Sequence, residues 1–184
     1  MLNIILTANG FENRNIGKYF LEIINKEPSQ IKAIFVPTAA NNPDAIDVLP
    51  KCMHDLLDLG ILGNNIFVYD LHYKMEYNEL IKFDTIYFCG GSTSYLLNRI
   101  NETGFKTPLK QFIENSGLYV GVSAGSIIMA NNLKENMGYL NCKLDVHGNE
   151  GINTGKFEPK NYSHIKLPDN KAIIIKNNEY EVIE

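Results

Sequence analysis

One stretch narrows the folding options of this chain more than any other: Leu118-Tyr119-Val120-Gly121-Val122-Ser123-Ala124-Gly125-Ser126. An apolar run with β character closes in the pattern G-x-S-x-G and passes at once into the helical residues Ile127-Ile128-Met129-Ala130. Strand, tight turn with serine at its tip, then helix is the context of a nucleophile elbow. Such a turn strains the serine backbone, so the residues two before and two after it must be small. It lifts the hydroxyl clear of the sheet and aims it at a helix N-terminus, where free N–H groups can stabilise an oxyanion. The plainer alternative is a glycine-rich β–α turn with an incidental serine.

The rest of the chain supplies the sheet that such an elbow needs. Leu2 to Ala8 reads as a strand ending at Asn9-Gly10, followed by helical spacing over residues 13 to 25, with Ile16, Tyr19, Phe20, Ile23 and Ile24 on one face. Ile31 to Val36 is a second strand, stopped by Pro37-Thr38. A helix is expected over Ala45 to Leu59, ended by Gly60 and Gly63, and a third strand over Asn65 to Tyr69. A short helix near residues 75 to 82 precedes the strand Thr85 to Cys89, and Gly90-Gly91-Ser92-Thr93 turns into a helix from Tyr95 to Ile100. A further helix over Thr107 to Asn115 leads to the strand beneath Ser123.

Strands alternating with helices imply βαβ crossovers and a mostly parallel sheet, covered by helices on both faces. Near-continuous apolar strands agree with burial on both faces. Ligands of such sheets bind at the carboxyl ends of the strands. Asn9-Gly10, Pro37-Thr38, Gly90-Gly91 and Ser123 should therefore rim one crevice. After about residue 132 the pattern changes. Lys143 to His147 reads as a short strand and Gly148 to Asn161 as a loop. His164 to Leu167, Ala172 to Lys176 and Tyr180 to Ile183 read as a closing antiparallel meander, with Asn177-Asn178 as a hairpin turn.

With 184 residues, 45% hydrophobic and 21% charged, the chain suits a single α/β domain spanning 1–184. A net charge of -4 with no long basic run argues against nucleic acid as a partner. Cys52, Cys89 and Cys142 are too few and too widely spaced for a disulfide framework or a zinc site. They suit a reducing compartment, so the cytoplasm is the expected location. No run approaches the length of a membrane span, and no membrane partner is expected. Edge strands in the meander would allow pairing across a two-fold axis into a homodimer.

A nucleophilic serine needs a base, and the base an orienting acid. The four histidines are His54, inside a predicted helix; His72, after the third strand; His164, opening the meander; and His147, which follows the elbow and abuts Gly148. His147 is the favoured base. Among acids, Asp169 lies in the turn Pro168-Asp169-Asn170 and Asp145 lies two residues before His147.

These motifs resemble the aspartyl dipeptidase (dipeptidase E) family of serine peptidases, whose relatives include the cyanophycinases. The resemblance is carried by Phe88-Cys89-Gly90-Gly91-Ser92-Thr93 leading to Leu96-Leu97, by Gly121 to Ser126, by Leu144-Asp145-Val146-His147, and by Leu167-Pro168-Asp169 before a strand. It implies a flavodoxin-like, doubly wound sheet similar to class I glutamine amidotransferases. It also implies hydrolysis of short peptides after an N-terminal aspartate, without metal or cofactor.

By the same resemblance, Ser123 is the nucleophile, His147 the general base and acid, and Asp169 the third member, where dipeptidases of the family carry glutamate. The backbone N–H groups of Gly91 and Ala124 form the oxyanion hole, and Gly90, Ser92 and Thr93 contribute to substrate binding. The chain is shortened on both sides of His147, has Val146 where the dipeptidases commonly have proline, and lacks the arginine-containing motif expected between His147 and Asp169. Its two arginines are Arg14 and Arg99. The alternative from a different class is a catalytically impaired homologue that binds a small ligand or a partner. Glutamine amidotransferase chemistry is disfavoured because it uses cysteine at the elbow, a far stronger nucleophile at neutral pH.

Overall fold

The computed structural model describes residues 2–184. The strand β1 (Asn3–Thr7) is buried along its whole length. It leads to the helix α1 (Arg14–Ile24), which starts where the Asn13 side chain accepts the Asn15 N–H and ends at Asn25 in the left-handed region. The strand β2 (Ala33–Val36) follows. Beyond it, the single helix expected over residues 45–59 is two helices, α2 (Pro43–Asp47) and α3 (Leu49–Leu57). The break is explained by Pro50, which lacks an N–H and whose ring would crowd the Ile46 carbonyl in a continuous helix.

The strand β3 (Ile66–Val68), the helix α4 (Tyr77–Leu80), the strand β4 (Thr85–Phe88), the helices α5 (Thr93–Glu102) and α6 (Lys106–Glu114) and the strand β5 (Leu118–Val122) complete the alternating part. The helix after the elbow, α7 (Ala124–Ile127), is a single turn, shorter than its sequence suggests.

The remaining strands are β6 (Lys143–Val146), β7 (Gly155–Phe157), β8 (His164–Leu167), β9 (Ala172–Lys176) and β10 (Glu179–Ile183). The main sheet has the order β3-β2-β4-β5-β1-β9-β10-β7. The first five strands are parallel, and beyond β1 the strands β9, β10 and β7 are added, each antiparallel to its neighbour. The doubly wound, mostly parallel α/β sheet is thus as expected.

The closing segment departs from a simple meander. β9 and β10 do form a hairpin, with Asn177 and Asn178 both at positive φ, as a tight two-residue turn requires. β8 instead pairs in parallel with β6 as a separate two-stranded sheet. The expected loop over 148–161 holds β7, which pairs with β10 at the sheet edge. Three-residue strands without strong alternation give little periodic signal.

Two apolar clusters cover the two faces of the sheet. Ile4, Leu6, Phe88 and Tyr119 pack under α5, α6 and α7, while Ile5, Phe35, Tyr87 and Val120 pack under α1 and α3. Successive residues of one strand go to opposite clusters, as the pleat demands. No helix among the described residues is long and apolar enough to cross a membrane.

Candidate active site

Ser123 stands at the carboxyl end of β5 with φ 48° and ψ -105°, a conformation that L-residues rarely adopt. Neighbouring contacts hold it there. Its amide donates to the Thr7 carbonyl at 3.0 Å, and its own carbonyl accepts the Ser126 and Ile127 amides, each at 2.9 Å. A Cβ on Gly121 would lie 2.6 Å from the Gly125 carbonyl carbon, and one on Gly125 would lie 2.7 Å from the Phe88 carbonyl oxygen. Both positions of G-x-S-x-G are therefore glycine because backbone passes too close for any side chain.

Ser126, fully buried, fastens the turn to the sheet. Its Oγ accepts the Thr7 amide at 2.9 Å and lies 2.7 Å from the carbonyls of Thr7 and Gly121. Sequence alone gives Ser126 no role beyond its place in the elbow motif. A small hydroxyl residue directly after the elbow glycine was the available signal.

His147 follows β6 with φ 65°, and this left-handed kink turns its ring away from the strand. Its Nε2 lies 3.1 Å from Ser123 Oγ, and its Nδ1 lies 2.9 Å from Asp169 Oδ1. With the ring proton on Nδ1, donation to Asp169 leaves Nε2 free to accept the Ser123 O–H. Asp169 reaches the ring from the turn between β8 and β9, where the Lys171 amide donates to the Pro168 carbonyl at 3.2 Å. The His147 and Asp169 side chains are about half exposed, so the pair adds little to stability. Its consequence is orientation of the ring.

The rival groups are occupied elsewhere. Asp145 pairs with His164 Nε2 at 2.7 Å across the small sheet, and His54 pairs with Asp58 one helical turn away. His72 packs at a tilt against Tyr69 and edge-on against Tyr73.

Gly91 lies beside the carboxyl end of β4 with φ 135°, and a Cβ there would collide with the Ala39 carbonyl. Ala124, buried, is the first residue of α7, so its amide has no intrahelical acceptor. One helical turn has little macrodipole, so any anion stabilisation there falls to the individual N–H groups.

A cavity of about 190 Å³ opens beside Ser123 and His147. Asn9, Gly90, Gly91 and Ser123 line it, so three of the four predicted strand-end segments meet there. The fourth, Pro37-Thr38, does not line it; the Thr38 hydroxyl donates to Asp70 at 2.9 Å. Ser92 and Thr93 also stay off the cavity wall: Ser92 caps α5 through the Tyr95 amide, and Thr93 is the first residue of that helix.

Asp55 of α3 reaches the cavity, and nothing in its local sequence announced this. Its Oδ2 accepts the Phe11 amide at 2.9 Å and the Tyr87 hydroxyl. Gly10 leaves room for that oxygen by having no Cβ. Burial pushes the Asp55 carboxyl above its usual range, against the pull of its two donors. Burial also drives the Cys89 thiol up, while a hydrogen bond with Cys89 lowers that of Cys52. Among the described residues no group of three or more His, Cys, Asp or Glu side chains could hold a metal ion.

The model of Peptidase family S51 matches residues 4–145. The chain belongs to this peptidase family. The match contains Gly90, Gly91, Ser123 and Ala124, and stops two residues short of His147. An uncharacterized peptidase of Pasteurella multocida is 27% identical over 54% of this chain, and one of Listeria innocua is 31% identical over 54%. The chain spans about half the length of these relatives, 48% and 47% respectively.

Among solved structures, a Listeria monocytogenes EGD-e protein provisionally named a peptidase E superposes with a TM-score of 0.73 at 22% identity. The alignment covers 100% of this chain and 98% of that one. A peptidase from an acI-B1 actinobacterium gives 0.69 at 16% identity, covering 100% and 87%. At these identities the likeness is one of fold.

Proposed function

We propose that this protein is a serine peptidase acting on short peptides. The observation that carries the reading is the continuous line of contacts Ser123 Oγ–His147 Nε2–Asp169 Oδ1, at 3.1 and 2.9 Å, on a strained elbow of an S51 chain.

In this mechanism the peptide carbonyl sits over Ser123, with its oxygen between the Gly91 and Ala124 amides. His147 Nε2 takes the hydroxyl proton as Oγ attacks the carbonyl carbon. Asp169 holds the ring and stabilises the imidazolium. The Gly91 and Ala124 amides stabilise the charge that develops on oxygen. His147 then protonates the leaving amine, and a water activated by the same nitrogen releases the acyl group. Gly90 forms part of the wall along which the substrate backbone runs. The half-exposed site and the short segments flanking His147 suit small substrates. The three buried free thiols suit a reducing compartment, the cytoplasm.

A fluorophosphonate probe tests the reading. We expect covalent labelling of the native protein, its loss in Ser123→Ala, and its strong slowing in His147→Ala. Absence of labelling in the native protein would remove the activated serine and leave a ligand-binding homologue.

A further inference from the structure

The S51 resemblance leads one to expect an acidic substrate side chain, and the cavity beside Ser123 is built for something else. Ala45, Val48, Leu49 and Val122 form much of its wall. The break between α2 and α3 places Val48 at the cavity, and it remains 45% exposed. An apolar residue held at the mouth of a cavity, unburied by its own chain, is surface for a ligand to cover.

The charges at the site point the same way. Asp55 is the acid of the cavity wall, and its Oδ2 is anchored by the Phe11 amide and the Tyr87 hydroxyl. Lys51, the cation of the wall, is paired with Glu12, which also accepts from Asn9 at 3.3 Å. Neither arginine lines the cavity; Arg99 is engaged by Glu102 and the Leu71 carbonyl. A substrate carboxylate entering here would meet Asp55 without a free bidentate cation, which is what carboxylate recognition requires.

We propose that this cavity selects a neutral, apolar side chain next to the scissile bond and rejects an acidic one, with Val48 supplying contact and Asp55 supplying rejection. The ligand is a substrate only if the peptidase reading holds. The selectivity itself is a binding property of the cavity.

Binding is therefore measured in Ser123→Ala, by calorimetry, with Leu-Gly and Gly-Leu against Asp-Gly and Gly-Asp. We expect the better leucine peptide to bind at least about tenfold tighter than either aspartate peptide. Replacing Val48 by Arg in the same background should narrow that gap by bringing a cation to the mouth. Val48 is half-exposed, so this change leaves the core intact.

Aspartate peptides binding as tightly as leucine peptides, or no dipeptide binding at all, would overturn the inference. Leucine selectivity in a protein that the fluorophosphonate does not label would leave it standing and remove the peptidase reading. Labelling combined with aspartate preference would do the reverse.

Discussion

Ser126 and Thr7, 119 residues apart, are joined by reciprocal contacts: the Thr7 amide donates to Ser126 Oγ at 2.9 Å, and Ser126 Oγ lies 2.7 Å from the Thr7 carbonyl. Both residues are fully buried. The pair fastens the first turn of α7 to β1, directly below the strained serine.

Ser126→Ala should therefore act on stability before chemistry. It leaves the buried Thr7 amide without its acceptor, at a cost of about 1–3 kcal/mol. Denaturant unfolding would show this as a lower midpoint with an unchanged slope. A change below about 0.5 kcal/mol would mean that the latch is not needed.

The proposed third member of the triad is tested by two parallel substitutions. Asp169→Asn removes the carboxylate from His147 Nδ1 and should lower kcat by about 10²–10⁴-fold while the fold persists. Asp145→Asn touches only the pair with His164 and should leave kcat within about twofold. The opposite ranking in steady-state peptide hydrolysis would transfer the role to Asp145.

Gly91 admits no side chain. Its φ of 135° and the Ala39 carbonyl together make Gly91→Ala costly, by about 1–3 kcal/mol for the backbone alone. Displacement of the loop would also move the Gly91 amide, so fluorophosphonate labelling should slow more than the loss of Tm accounts for. Unchanged labelling would remove Gly91 from the proposed oxyanion hole.

Alkaline stability should reflect the buried tyrosines. Burial pushes the Tyr69 hydroxyl up to about 12 from its ordinary 10, and the hydroxyl donates to the Tyr73 carbonyl. Because the folded value is raised, this contribution to stability is complete below pH 10 and is lost as pH rises toward about 12. Tyr69→Phe should flatten this limb of a plot of stability against pH, at a cost of about 1 kcal/mol at neutral pH for the hydrogen bond. An equally steep alkaline limb in the variant would assign the loss to Tyr87 or Tyr119, which burial also raises.

What could be read from the chain follows from local physics. G-x-S-x-G between an apolar strand and a helical run specifies an elbow because only glycine tolerates the backbone approaches found at Gly121 and Gly125. The alternation of apolar strands with amphipathic helices specifies a parallel sheet because each element must bury its own face. The expectation that His147 serves as base rests likewise on its position after the elbow and beside Gly148.

Only the folded chain decided the rest. Asp145 and Asp169 are both candidate acids in the sequence; the pairing of β6 with β8 sets Asp145 against His164, while His147 meets Asp169 in the turn after β8. Asp55 and Val48 reached the cavity through a helix break and a contact with Tyr87, a strand away. Local periodicity carries the burial of one face. It carries no information on which distant side chain meets a given atom, because that depends on packing between elements far apart along the chain.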